Sequence, residues 1–170
     1  MYGLWLLLRR LRLSMKKILS SGLVFAGMLS SPVAVTNAET PDAASEYQND
    51  PRLESLNRFF QKGGCPAQDF SAEFLRVADQ NNLDWRLLPS ISMVESGGGR
   101  EARNNNLFGW DGGKAIFTSM RAGIHNVAER LGNSKIYRNK GVDEILRIYN
   151  PDANYPGVVK SVMRRISPSE

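Results

Sequence analysis

The sequence predicts a mainly α-helical single domain, and three observations predict it. Six successive segments between residues 51 and 166 carry apolar residues at the i, i+3, i+4 spacing of a helix face. Most open at a capping residue or a proline and close at Gly, Asn or just before Pro, the punctuation of helix ends. Only 114–117 reads as a short strand, and no repeat period or heptad run appears.

The first helix is expected from Asp50-Pro51, with Leu53, Leu56, Phe59 and Phe60 as its stripe and Gly63-Gly64 as its stop. A second carries Phe70, Phe74, Val77 and Ala78, capped by Asp69 or Ser71 and closed by Asn81-Asn82. Asp84 caps a third, in which Pro89 lacks a backbone donor and so either starts the regular helix or kinks it. Leu87, Ile91 and Val94 lead this helix into Glu95, and Gly97-Gly98-Gly99 end it. Residues 97–119 keep no helical period and predict a compact loop or small β-hairpin. Thr118 or Ser119 then caps a helix with the stripe Met120, Ile124, Val127, Ala128 and Leu131, stopped by Gly132. Val142, Ile145, Leu146 and Tyr149 form a short helix ending before Pro151, and Pro156 opens the last, over Val158, Val159, Val162, Met163 and Ile166.

The N-terminus reads as an address rather than as part of the fold. Met15-Lys16-Lys17 is a basic start, residues 18–29 are mostly apolar, and Thr36-Asn37-Ala38 offers the small residues of a cleavage site. The expectation is a signal peptide over 1–38, with Met15 as an alternative start and a retained anchor as the alternative fate. Arg9-Arg10 ahead of the apolar stretch is a pair too common to identify a twin-arginine signal. A flexible linker over 39–50, one domain over 51–166 and a tail over 167–170 complete the expected organisation. This predicts an exported protein, periplasmic or extracellular, with no stable membrane insertion once the leader is removed.

Charge supports no nucleic-acid partner. The chain holds 22 basic and 17 acidic residues, but five of the basic ones and no acidic one lie in 1–38. Without them 17 face 17, so the basic character belongs to the leader and is not a nucleic-acid footprint. Residues 96–170 keep 12 basic against 7 acidic, a mild bias suited to an anionic polymer or simply to a solvated surface. Cys65 is the single cysteine and His125 the single histidine, too few for a zinc set, and they admit a thiol–imidazole pair only on paper. No metal and no cofactor are expected.

Glu95 is the candidate catalytic residue. It falls in the last turn of its helix, where the backbone dipole disfavours negative charge, and its apolar neighbours add a desolvation cost in the same direction. Both favour a retained proton, which is what a general acid needs. The alternative is a solvated carboxylate on a fraying end. Asp111 is the nearest second acid by character, with Glu101 behind it, and either also suits an exposed loop. Ser96, Asn106, Phe108, Trp110, Tyr149 and Tyr155 are the candidate substrate-binding residues, the aromatic ones through stacking on sugar faces or through their hydroxyls.

Taken in order, Asp84-Trp85-Arg86-Leu87-Leu88-Pro89, Val94-Glu95-Ser96-Gly97, Asn106-Leu107-Phe108-Gly109-Trp110 and Tyr149-Asn150-Pro151 followed by Tyr155 resemble the lysozyme-like superfamily, in particular its bacterial glucosaminidase-type domains. Phe117, Ser119, Gly123-Ile124 and Tyr137 agree with the middle of that pattern, and the resemblance spans roughly residues 70–166. It implies a helical lysozyme-like fold whose cleft binds peptidoglycan glycan strands, with Glu95 protonating the glycosidic oxygen. Two other readings stay open: a lytic transglycosylase working with one glutamate, and a glycan-binding module without activity.

Overall fold

The computed structural model describes residues 42–167 of the 170-residue chain. The expected signal peptide and the last residues of the expected tail lie outside the described residues. Among the described residues seven α-helices follow one another: α1 Ala43–Glu46, α2 Pro51–Gly63, α3 Ser71–Gln80, α4 Leu87–Ser96, α5 Met120–Asn133, α6 Val142–Tyr149 and α7 Tyr155–Ile166. A 3₁₀ turn, Pro66–Phe70, joins α2 to α3. The described residues contain no strand, only one isolated bridge between Arg103 and Asn106, so the protein is mainly α-helical. Residues 114–117 are loop rather than strand. None of the described helices is long and apolar enough to cross a membrane.

Helix α4 is the centre of the fold. Its residues from Leu87 to Ser92 are all buried, as expected of a helix that is apolar on most of its faces. It packs chiefly against α7, while α3 packs against α5 and α6 against α7. Leu56 and Phe60 of α2, Phe74 and Leu75 of α3, Ile91 of α4, Ile124 and Leu131 of α5 and Leu146 of α6 are fully buried between these layers. Burying side chains of this size contributes about 2 kcal/mol each, so the core dominates what holds α4 in place.

Local chemistry accounts for the helix ends. Asp50 accepts the Arg52 N–H at 2.8 Å, Pro51 occupies the first turn of α2, and Gly64 closes it in a left-handed cap. Asp84 accepts the Arg86 N–H at 2.9 Å, which starts α4 two residues ahead of Pro89. Pro89 thus sits in the first turn, where its missing donor costs nothing, and α4 is not broken there. Ser119, not Thr118, caps α5 through the Ala122 N–H at 3.0 Å.

Two further expectations need correction. Order begins before Pro51: Ala43 and Tyr47 are buried, and the Tyr47 hydroxyl donates to Asp79 at 2.9 Å, so 42–50 is docked on α3 rather than a free linker. Gly132 does not stop α5, which runs on to Asn133. A Cβ on Gly132 would lie 2.6 Å from the Asn81 carbonyl oxygen, so this glycine lets α5 approach the end of α3 closely.

Candidate functional site

Glu95 is the second-last residue of α4, and its end of the helix is held by the loop that follows. The Gly97 and Gly98 N–H groups return to the carbonyls of Met93 and Ser92 at 3.1 and 3.0 Å. Ser96, 3% exposed, donates its hydroxyl proton to the Leu107 carbonyl at 2.7 Å and accepts the Gly99 N–H at 3.1 Å. Asn106 grips Trp110 at two points, donating to its carbonyl at 3.0 Å and accepting its N–H at 2.9 Å. Further along, Asn105 donates to the Phe117 carbonyl at 2.9 Å, and the Phe117 N–H returns to Asn104 at 3.0 Å. These side-chain bonds to backbone replace the sheet hydrogen bonds that a hairpin would have supplied.

The loop brings Gly109 against Glu95. Its φ is 62°, and a Cβ there would stand 2.8 Å from Glu95 Oε2. Any other residue would meet both the left-handed backbone cost and the carboxyl group. On the other side the Tyr155 hydroxyl, at the first residue of α7, donates to Glu95 Oε1 at 2.7 Å. Tyr155 stacks on Tyr149 with ring centroids 5.9 Å apart at 11°, and Tyr149 meets Trp110 edge-on at 5.7 Å. Tyr149 in turn donates its hydroxyl to the Phe108 carbonyl at 2.6 Å, tying α6 to the residue before Gly109. One carboxyl group therefore lies at the meeting point of α4, α7 and the loop that α6 anchors.

The tyrosines are firmly protonated donors. Burial first, then the charge of Glu95, raises both Tyr149 and Tyr155 well above the ordinary phenol range; for Tyr155 the proximity of Tyr149 and the bond to Glu95 add to this. Trp110 stays partly exposed, with Tyr137 6.5 Å away and the Arg130 guanidinium 5.9 Å from its ring centroid.

The structure thus gathers Glu95, Tyr149, Tyr155 and Trp110, and it assigns different work to the other candidates. Phe108 is fully buried and packs edge-on against Phe74 at 6.4 Å, so its ring is core and cannot stack on a ligand. Ser96 and Asn106 are buried and hold loop backbone, which makes them supports of the site rather than its contact surface. Tyr149 uses its only hydroxyl proton on Phe108, leaving its ring as its contribution. Asp111 lies on an exposed turn with φ 54°, and among the described residues its carboxylate has no partner. Glu101 is likewise exposed.

Away from Glu95, the sequence concealed a second carboxylate centre. Glu73 of α3 is 2% exposed and contacts the Arg121 guanidinium and His125 Nε2, the latter at 2.5 Å, both from α5. Only the position of His125 beside the α5 stripe hinted at it. His125 is thus occupied with Glu73, and Cys65 is buried with its thiol pushed up by burial, which leaves the thiol–imidazole pair without support. Among the described residues no three His, Cys, Asp or Glu side chains gather as metal ligands. Compared with protein-family models, curated proteins and solved structures, the chain matches none.

Proposed function

We propose that this chain is an exported peptidoglycan hydrolase of the lysozyme-like superfamily, cleaving glycan strands as an endo-β-N-acetylglucosaminidase with Glu95 as general acid. The observation that carries the reading is the setting of Glu95: at the C-terminal end of a buried helix, bonded by the Tyr155 hydroxyl at 2.7 Å, with the Tyr149 and Trp110 rings following in a row from Tyr155. Glycosidic cleavage needs a proton on the leaving oxygen and stabilisation of the oxocarbenium-like sugar. Glu95 supplies the proton, and Tyr155 keeps its carboxyl in one orientation while the bond breaks. The partly exposed Trp110 offers an aromatic face to a sugar ring. The overall change adds water across the bond: hydrogen to the leaving oxygen, hydroxyl to the anomeric carbon. It requires no cofactor. Export follows from the leader over 1–38.

The isolation of Asp111 supports a second reading. If Asp111 on its exposed turn takes no part, the sugar's own acetamido or hydroxyl groups would close the intermediate, as in a lytic transglycosylase.

Digestion of purified cell-wall glycan followed by mass spectrometry tests both. New reducing N-acetylglucosamine ends are expected; anhydro-muramic ends, lighter by one water, would establish the transglycosylase instead. Intact strands that nevertheless bind the protein would leave a glycan-binding module and overturn both catalytic readings.

A further inference from the structure

The Arg130 guanidinium faces an aromatic ring of the candidate site rather than a carboxylate. Arg52, Arg76, Arg86 and Arg121 are each paired with a carboxylate of the protein. Arg130 has no carboxylate partner among the described residues. Its Nε donates to Asn126 Oδ1, one turn earlier on α5, at 3.0 Å, which orients the group and leaves the two terminal nitrogens as donors. The guanidinium is held 5.9 Å from the Trp110 ring centroid, and its side chain is exposed. From Trp110 the row continues through Tyr149 at 5.7 Å and Tyr155 at 5.9 Å to the bond with Glu95. A fixed cation therefore closes one end of an aromatic row whose other end carries the candidate acid.

A guanidinium presents paired donors in a fork that matches a carboxylate, and an aromatic face beneath it limits its freedom before any ligand arrives. We infer that Arg130 is the substrate-charge determinant of this site: it binds a carboxylate carried on the glycan strand while the sugar ring beside it lies against Trp110. The inference rests on the reading of this site as a glycan cleft and adds the chemical class of strand, one bearing carboxylates. Two sources share that chemistry, the lactyl ether carboxyl on the sugar and the carboxyls of an attached peptide.

The test measures binding by calorimetry, so that it does not depend on cleavage, using full-length mature protein and three strands. One strand keeps its peptides, one has them removed by an amidase so that lactyl carboxylates remain, and one is the second with its carboxylates converted to amides. Arg130→Gln is expected to weaken binding of the carboxylated strands about tenfold and to leave the amidated strand unchanged. Arg130→Lys, with charge but no fork, should fall between. The lactyl carboxyl is free only where the peptide has been removed, so a loss confined to the peptide-bearing strand would assign the carboxylate to the peptide, a loss confined to the amidase-treated strand would assign it to the lactyl group, and a loss on both would show that Arg130 accepts either. Equal weakening on all three strands would reduce Arg130 to packing against Trp110, and no weakening on any would remove it from the site; either overturns the inference. Cleavage is scored separately. A wild-type protein that binds in an Arg130-dependent way yet cleaves nothing sinks the hydrolase reading alone, whereas cleavage with binding indifferent to Arg130 sinks this inference alone.

Discussion

Two glutamates, one fully buried and one half-buried, are held differently by this fold. Glu73, 2% exposed, is gripped by the cationic Arg121 and by His125, so its charge is balanced and its place between α3 and α5 is fixed. Glu95 receives the hydroxyl of a neutral phenol, Tyr155, and has a side-chain-free backbone, Gly109, against its other oxygen. A buried carboxylate paired with a guanidinium is stabilised in its charged form and ties helices together. A carboxyl that receives a hydroxyl from a packed tyrosine is held in one orientation, which suits the proton donor proposed for this site. The two acids differ both in burial and in what holds them: Glu73 is fully buried against the Arg121 guanidinium, whereas Glu95 is half-buried and receives the Tyr155 hydroxyl.

The largest effect that can break this comparison is expected from Glu95→Gln. The amide keeps the size of the side chain and can still accept from Tyr155, but it carries no transferable proton. Release of soluble muropeptides should fall about 10³-fold with little change in thermal stability. Cleavage at the wild-type rate would take the acid role away from Glu95. Gly109→Ala comes next. Its methyl would lie 2.8 Å from Glu95 Oε2 at a residue with φ 62°, so the carboxyl must move or the loop must yield. A displacement of that size is expected to lower kcat about 100-fold, with a loss of stability of about 1 kcal/mol from the left-handed backbone. Steady-state kinetics alongside urea unfolding separates the two; unchanged kcat would show that the Gly109 side of the carboxyl has no part in catalysis.

The helices were largely legible in the sequence because their signals are local. Asp50-Pro51, Gly64, Ser119 and Pro156 act within one turn, and each lies at the helix end expected of it. Glu95 was legible for the same reason, being a charge set at the end of an apolar stripe. Other features depend on contacts between distant residues, which no local period encodes. Tyr155 meets Glu95 across 60 positions and Glu73 meets His125 across 52. Gly132 carried the local mark of a helix stop, yet its reason is the Asn81 carbonyl on another helix. Phe108 and Trp110 are two residues apart, and only the packing of α3 decides that one is core and the other surface.

The other half of the comparison predicts a change in stability without a change in chemistry. Glu73→Ala should lower the unfolding free energy by about 2 kcal/mol, read from the urea midpoint. The expectation is set below that for a fully buried pair because Arg121 and His125 are about half exposed and regain water when the carboxylate is gone. At 25 °C, where most molecules remain folded, cleavage should stay near the wild-type rate. If Glu73→Ala abolished cleavage while unfolding were unaltered, the two glutamates would have to exchange roles.

The smallest effect sharpens the contrast through pH. Burial would raise the Asp84 carboxyl, but the side-chain and backbone hydrogen bonds of Arg86 outweigh it and hold the group below the ordinary carboxylate range. The same guanidinium donates to the Ser167 carbonyl at 3.1 Å, so the pair joins the start of α4 to the end of α7. A carboxyl whose folded pKa is depressed binds its proton more readily in the unfolded chain. Its stabilisation is therefore present above the unfolded value of about 3.9 and is lost as pH falls through the lower folded one. Asp84→Asn keeps an acceptor for the Arg86 N–H but removes the charge. It should cost less than about 1 kcal/mol at neutral pH, because the pair keeps some exposure, and the difference from wild type should shrink in acid. Urea midpoints of the two proteins, taken at steps from pH 6 to pH 3, should converge only below about pH 4. A constant gap across that range would mean that Asp84 holds α4 by hydrogen bonding alone, and that its charge, unlike that of Glu73, has no part in holding helices together.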